Sequence, residues 1–254
     1  MYNSFADFYD ELMQDVDYKK RTSYLMKLFK KYDKAPTLLL DVACGTGGFS
    51  NEFAKQGIEV IGTDMSEEML SVAREYSAVL GQDVLYLCQK AEELDLYGTV
   101  DGAVCCLDSL NHITDYKTLC KAFSKVSMFL EKDRLFIFDV NTEYKHREIL
   151  GDNVFVTDNG NLYCVWANLY NEKNKTVDIS LDFFVKEDDA YIRQSEEFSE
   201  RAYTADELKQ AIENAGLSIV EIFDDMTQNP LNDKSQRAIY VTKKVKKWVN
   251  LSDV

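Results

Sequence analysis

Segment 38–49 reads Leu-Leu-Leu-Asp-Val-Ala-Cys-Gly-Thr-Gly-Gly-Phe, an apolar run that ends in a glycine-rich turn. Such a run suits a strand buried on both faces of a parallel sheet, and helical spacing resumes directly after it. In sheets of this kind, ligands bind at the carboxyl ends of the strands. Gly45 permits the tight turn, Gly47 lets a ligand approach the backbone closely, and the following helix offers amide groups with no partner of their own. Together these features form a nucleotide cradle.

The same alternation of strand and helix continues along the first part of the chain. Strands are expected over 37–43, 59–63, 84–88, 100–106 and 135–140, joined by helical or loop sequence, which predicts a doubly wound α/β domain. Ser66 followed by Glu67 and Glu68 gives an N-cap with acids in the first turn, so a helix should run over 66–80. Thr204 with Glu207 makes a capping-box pattern, and Gly216 should close the helix it opens. Between about 153 and 198 the period changes to two. Phe155, Tyr163, Val165, Ala167 and Leu169 alternate with polar residues, as do Val177, Ile179, Leu181 and Phe183. Antiparallel strands are expected there, with turns at 171–175 and 187–189.

Charge narrows the partners. The chain has 254 residues, with 29 Lys and Arg against 44 Asp and Glu, a net charge of -15. A surface of that sign repels polyanions, so nucleic acid is disfavoured and a small-molecule or protein partner is preferred. The one basic run, 243–247, reads as a solvated end beside a last strand. No stretch reaches the roughly eighteen apolar residues of a membrane span, and 1–20 lacks an export signal. Cys44, Cys88, Cys105, Cys106, Cys120 and Cys164 show no paired metal-ligand spacing and read as reduced, buried thiols. A cytoplasmic chain without a metal follows, as a monomer or homodimer.

Asp64 lies 19 residues after Gly45, at the end of the second expected strand, where a carboxylate can accept both hydroxyl hydrogen bonds of a ribose. A nicotinamide fingerprint would put glycine where Ser50 stands, and would not ordinarily place an acid such as Asp41 just before the turn. Asp41 can instead meet the ammonium of an amino acid, directly or through water, which tips the choice toward S-adenosylmethionine (SAM).

At this point the chain resembles the bacterial class I SAM-dependent methyltransferases of the methyltransferase domain 25 type. The likeness rests on Phe5-Ala6-Asp7-Phe8-Tyr9-Asp10, Asp41 to Gly47, Asp64-Met65-Ser66, Cys106-Leu107-Asp108-Ser109-Leu110-Asn111 and Glu200-Arg201-Ala202-Tyr203-Thr204. It implies a Rossmann-like seven-stranded sheet of order 3-2-1-4-5-7-6, with an antiparallel last strand at 237–242. The cap helices and first part of the SAM-binding domain would fill 1–150, an inserted antiparallel β substrate subdomain 151–200, and the rest of the SAM-binding domain 201–254. It also implies that Ala43, Gly45, Thr46 and Gly47 line the methionine part of the cofactor. Asp64 would hold the ribose, and Met65 would cover one adenine face. Leu107 and Asp108 would lie near the sulfonium, with Tyr9 closing over the ligand. Relatives place an acid after the third strand, where this chain has Lys90. The Ala91 amide would then meet the adenine, with Gln89 or Glu92 replacing the missing carboxylate.

Methyl transfer from a sulfonium is an in-line displacement, and much of its catalysis comes from holding donor and acceptor in line. Asp108 could orient an amine acceptor, and His112, one of 2 histidines, could act as base for a hydroxyl. Tyr163, Trp166, Tyr170 and Phe183 could wall an acceptor pocket, and Arg201 and Tyr203 could reach it. The leading expectation is a methyltransferase with a small-molecule acceptor. Methylation of a tRNA or protein, and a SAM-binding module without turnover, are the alternatives.

Overall fold

A computed structural model describes residues 13, 15–188 and 190–245 of the chain. Helix α1 (Tyr18–Tyr32) precedes β1 (Leu38–Val42), α2 (Gly48–Ala54), β2 (Glu59–Asp64), α3 (Glu67–Leu80), β3 (Val84–Cys88), β4 (Gly102–Cys105), α4 (Tyr116–Phe129) and β5 (Leu135–Asn141). Four antiparallel strands follow: β6 (Val154–Asp158), β7 (Leu162–Asn171), β8 (Thr176–Glu187) and β9 (Ala190–Arg201). Helix α5 (Ala205–Asn214), β10 (Leu217–Asp224) and β11 (Arg237–Lys244) complete the order.

Strands β1 to β5 pair in parallel, and β11 pairs antiparallel with both β5 and β10. The seven-stranded sheet therefore runs β3-β2-β1-β4-β5-β11-β10, the order implied by the resemblance. Side chains alternate between its two faces. Leu40, Val42, Phe136, Phe138 and Tyr240 pack against Phe123 of α4 and Leu208 and Ile212 of α5. Leu39, Leu135, Ile137 and Val241 pack against Leu28 and Phe29 of α1 and Phe53 of α2. Each such side chain contributes about 1.5–3 kcal/mol by burial. Phe138 and Tyr240, opposite one another across the β5–β11 pair, stack with ring centroids 5.0 Å apart.

Helix ends follow the sequence signals. The Ser66 hydroxyl accepts from the Met69 amide, and Glu67 and Glu68 occupy the first turn of α3. Thr204 and Glu207 form the reciprocal capping box of α5, and Gly216 follows that helix with a φ of 76°.

In the four-stranded sheet the alternation of β8 buries Val177, Ile179, Leu181, Phe183 and Val185 around Leu150, Leu162 and Cys164. In β7 the alternating apolar set Tyr163, Val165 and Leu169 belongs to the outer face. Leu162 and Cys164 lie inside, while Tyr163 and Leu169 are exposed. Apolar residues occupy both faces of β7, so a period of two could not say which face is covered.

Two further expectations are corrected. Within the basic run, Lys244 is buried rather than solvated, and its Nζ donates to the carbonyls of Leu130 (2.5 Å) and Met128 (3.4 Å) at the end of α4. A cation there meets carbonyls that have no helical partner. Of the six free cysteines, Cys105, Cys106 and Cys164 are buried and Cys44 and Cys120 half-buried, but Cys88 is exposed. Among the described residues no helix is long and apolar enough to cross a membrane.

Candidate active site

The glycine turn leaves β1 through three residues in left-handed backbone, Ala43 (φ 55°), Gly45 (φ 55°) and Gly47 (φ 78°). Its shape is fixed from β2, because the Cys44 amide donates to the Thr63 carbonyl and the Gly45 amide to Asp64 Oδ2 at 2.9 Å. The Ser66 amide occupies the other Asp64 oxygen at 2.9 Å. Each oxygen keeps one lone pair, which is what a cis-diol needs. The expected use of Gly47 differs from its surroundings: a Cβ there would collide with the Tyr86 hydroxyl and sit 3.2 Å from the Ala73 Cβ. Its missing side chain makes room for the protein's own Tyr86, and Gly47 caps α2.

A cavity of about 510 Å³ opens over this turn. Ala43, Gly45, Asp64, Met65, Ala91 and Glu92 border it, as does His112, while Asp41, Thr46, Gly47, Leu107 and Asp108 do not. Met65 is 70% exposed at its rim, an uncovered apolar surface on which a flat ring could lie. Ala91 opens a one-turn helix, Ala91–Glu93, whose first amides have no partner within the helix. Gln89 also borders the cavity, its side-chain amide clasping the backbone of Asp95 at 3.0 and 2.9 Å, and its oxygen, like the Glu92 carboxylate, keeps a free lone pair. Asp41 lies beneath the turn, fully buried, with the Ser50 hydroxyl donating to it at 2.6 Å. Burial pushes its carboxyl up to about 7, and the neighbouring Asp64 adds to the rise against the Ser50 hydrogen bond. A buried acid so poised gains by meeting a cation. Volume, the paired lone pairs of Asp64, the open apolar rim and this acid fit an adenosine with a cationic amino-acid tail.

The carboxyl end of β4 is more strained. Leu107 (φ 56°) and Asp108 (φ 52°) are both left-handed, at a cost of about 1–2 kcal/mol each. Asp139 of β5 holds them there, taking the Leu107 amide at 2.9 Å and the Asp108 amide at 2.7 Å. Arg237 of β11 bridges the carboxylates of Asp139 and Asp108, with 2.7 Å to the latter, and the Asn141 amide donates to Asp108 at 2.6 Å. Burial alone would raise the Asp108 carboxyl, but Arg237, Lys145 and His112 outweigh it and hold the group well below the usual carboxylate range.

Glu200, at the end of β9, is the residue that sequence reasoning missed. It is buried, accepts from Asn141 at 3.1 Å, pairs with His146 Nε2 at 2.8 Å, and lies 3.8 Å from His112 Nε2. One donor atom each of Asp108, His112 and Glu200 fall within 4.8 Å of one another. That spacing could hold a cation, yet both carboxylates are already engaged, Asp108 by Arg237 and Asn141 and Glu200 by His146 and Asn141. His112 is half exposed, borders the cavity and packs 5.1 Å from the Phe198 ring. The only local sign of Glu200 was its place in the segment Glu200-Arg201-Ala202-Tyr203-Thr204.

Arg201 and Tyr203 stand behind the cavity wall rather than on it. Arg201 donates to the Thr114 carbonyl at 3.1 Å and to Glu207 at 2.6 Å, and lies 4.7 Å over the Tyr203 ring, whose hydroxyl donates to the Ile113 carbonyl. Ile113 and Thr114 line the cavity, so the pair braces its edge. Trp166 is in the inserted sheet, donating to Asn168 at 2.6 Å and edge-on to Phe155, away from the cavity. Tyr9 lies outside the described residues.

Residues 39–133, which carry β1 through α4 and most of the cavity, match the model of a family described as methyltransferase domain. A protein of Geobacillus sp. strain WCH70 described as a methyltransferase is 32% identical over 96% of this chain and 99% of its own length. A SAM-dependent methyltransferase from Clostridium acetobutylicum superposes with a TM-score of 0.88 at 31% identity, over 95% of this chain and 98% of its own. A ubiquinone biosynthesis O-methyltransferase of Idiomarina loihiensis is 38% identical over 88 residues, 34% of this chain and 36% of its own. The strand order and relatives that extend over almost the whole length converge on one assignment: the chain belongs to the class I SAM-dependent methyltransferases.

Proposed function

We propose that the enzyme methylates an amine or hydroxyl of a small molecule, presented to Asp108, His112 and Glu200 at the carboxyl end of β4. The observation that carries this reading is the approach of those three groups to within 4.8 Å, with His112 on the cofactor cavity. Bound SAM supplies a methyl group on a sulfonium. Ala43 and Gly45 would hold its amino-acid part, with Asp41 and Thr46 acting from beneath the turn rather than on the cavity wall, Asp64 would hold its ribose, and Met65, Ala91 and Glu92 its adenine. Leu107 and Tyr9 lie near its reactive end, the latter by family resemblance alone.

The protein's own work is to orient the acceptor and manage one proton. Asp108, kept anionic by Arg237 and Asn141, steadies positive charge that develops on an amine. His112 takes the proton of a hydroxyl, and Glu200 faces the resulting imidazolium. His146 and Asn141 fix Glu200 for that task. Arg201 and Tyr203 act on the acceptor by bracing the cavity edge at Thr114 and Ile113.

A small acceptor agrees with the net charge of -15, which opposes docking of tRNA, and with the partial match to a ubiquinone biosynthesis O-methyltransferase. Six free thiols fit the cytoplasm, and a monomer or homodimer is the expected state. The test is to incubate the enzyme with methyl-labelled SAM and, separately, a metabolite extract, tRNA and protein. Calorimetry with SAM on wild type and Asp64→Ala runs alongside. Label should enter the metabolite fraction, and Asp64→Ala should weaken SAM binding at least about tenfold by removing two hydroxyl hydrogen bonds. Label confined to tRNA or protein would overturn the small-molecule reading.

A further inference from the structure

Beside Arg237, the partner of Asp108, lies another cavity of about 400 Å³, lined by different residues from the one over the glycine turn. Its charged wall consists of Arg21, Lys145, Lys234 and Arg237 against Asp224 and Asp225, a cationic excess in a protein whose net charge is -15. Asp225 is neutralised by Arg21, which grips it with two hydrogen bonds of 3.0 and 2.9 Å. Arg237 directs its contacts to Asp108 and Asp139, which stand behind it and off the cavity wall. Lys145 differs from both arginines. Among the described residues its ammonium makes no ion pair within 4.0 Å and no hydrogen bond, although the side chain is largely withdrawn from water.

The position of Lys145 is built rather than incidental. Its backbone amide donates to the Thr142 hydroxyl at 3.1 Å, and that hydroxyl donates to the Ser235 carbonyl at 2.6 Å. The Thr142 amide also reaches the Gln236 carbonyl at 3.0 Å. The first turn of the π-helix Lys145–Leu150 is thereby tied to the loop that carries Lys234 and leads into Arg237. Burial and the adjacent Arg237 push the Lys145 ammonium down, while Asp108, Glu200 and Asp139 oppose that fall without pairing with it. A desolvated cation held next to a cavity, in electrostatic contact with two of the residues at the reaction centre, is a site waiting for an anion.

We infer that this cavity receives an oxyanion of the methyl acceptor, a carboxylate or phosphate held by Lys145 with help from Lys234, while its nucleophilic atom lies at Asp108 and His112. The acceptor is therefore an acidic metabolite whose anionic end lies at Lys145 beside Arg237 and whose reacting end lies at Asp108, the ion-pair partner of Arg237. This assignment rests on the methyltransferase reading for the identity of the ligand, but the anion site can be measured without turnover.

The experiment titrates inorganic phosphate and, separately, acetate into protein saturated with S-adenosylhomocysteine, by calorimetry, with sodium chloride at matched ionic strength as the reference. Phosphate or acetate should bind saturably beyond chloride, and whichever binds more tightly identifies the oxyanion. Lys145→Gln should weaken that binding about tenfold, and the more exposed Lys234→Gln only about two- to threefold. Lys145→Arg should restore most of it, and SAM affinity should be the same in all four proteins, which also shows that they are folded. A wild type that takes SAM but neither oxyanion, or a Lys145→Gln variant that binds the oxyanion as well as wild type, overturns the site. A wild type that takes the oxyanion but transfers label only to uncharged metabolites overturns its assignment to the acceptor.

Discussion

Replacing Asp41 by asparagine should stabilise the protein in alkaline solution and cripple it as a cofactor binder. In the native state the Asp41 carboxyl titrates at about 7, pushed there by burial, against 3.8 for an ordinary aspartate. From pH 4 to 7 the native carboxyl holds a proton that the unfolded chain has released. The native state thus binds more protons, and stability falls as pH rises through that window. Over roughly three pH units at about 1.4 kcal/mol each, the accumulated cost above pH 7 is about 4 kcal/mol. The asparagine side chain of Asp41→Asn is neutral throughout and can still accept the Ser50 hydroxyl, so the variant escapes this cost.

Urea denaturation of both proteins at pH 5.0 and pH 8.5 measures the effect. At pH 5.0 the two should agree within about 1 kcal/mol, since wild-type Asp41 is then protonated. At pH 8.5 the variant should be more stable by about 2–4 kcal/mol, or roughly 5–10 °C in Tm for a chain of this size. Calorimetry with SAM supplies the second half. Wild type at pH 7 should release up to about half a proton on binding, because Asp41 is then about half protonated and a cation beside it favours its charged form. The variant should release none and bind at least about tenfold more weakly. A stability difference that does not change with pH would refute the buried, proton-holding carboxyl. Unchanged SAM affinity would show that Asp41 does not face the cofactor's ammonium.

Three other substitutions probe different links. His112→Ala should lower kcat by about 100-fold or more with little change in SAM affinity, and Glu200→Gln by about tenfold, read by single-turnover methyl transfer. A His112→Ala enzyme with undiminished kcat removes that residue from the chemistry and leaves in-line positioning to do the work. Thr204→Ala breaks the capping box of α5, and urea denaturation should show a loss of about 1 kcal/mol. A loss under about 0.3 kcal/mol would mean that packing of Leu208 and Ile212 alone sets that helix.

What could be read from the sequence divides along the length scale of the contacts. Gly45 and Asp64 meet across two adjacent strands joined by one short helix, so turn, spacing and acid stand together in a single stretch of chain. The parallel strands were equally legible, since apolar runs and caps such as Ser66 are local signals. Strand β7 was legible as a strand but not in its facing, because Tyr163 and Leu162 carry the same hydropathic message with opposite outcomes. Lys244 was misjudged for a related reason: charge predicts solvation only where no helix end waits to receive it.

Around Asp108 the sequence showed only part: Asp108 and His112 stood out, and their partners did not. Asp108 comes from the end of β4, Asp139 and Asn141 from β5, Glu200 from β9 and Arg237 from β11, and no local pattern joins them. They meet only because the antiparallel insert returns the chain beside β5 before the last strand enters between β5 and β10. The same separation allows the two halves of the site to change independently. Substitutions in β9 or the loop before β11 reach Glu200, Lys234 and Lys145 without disturbing the hydrogen bonds that fix Asp64. A chain of this design can acquire a new acceptor while the turn held by Asp64 keeps one shape, and on our proposal Lys145, whose ammonium has no partner among the described residues, is where such a change would first be felt.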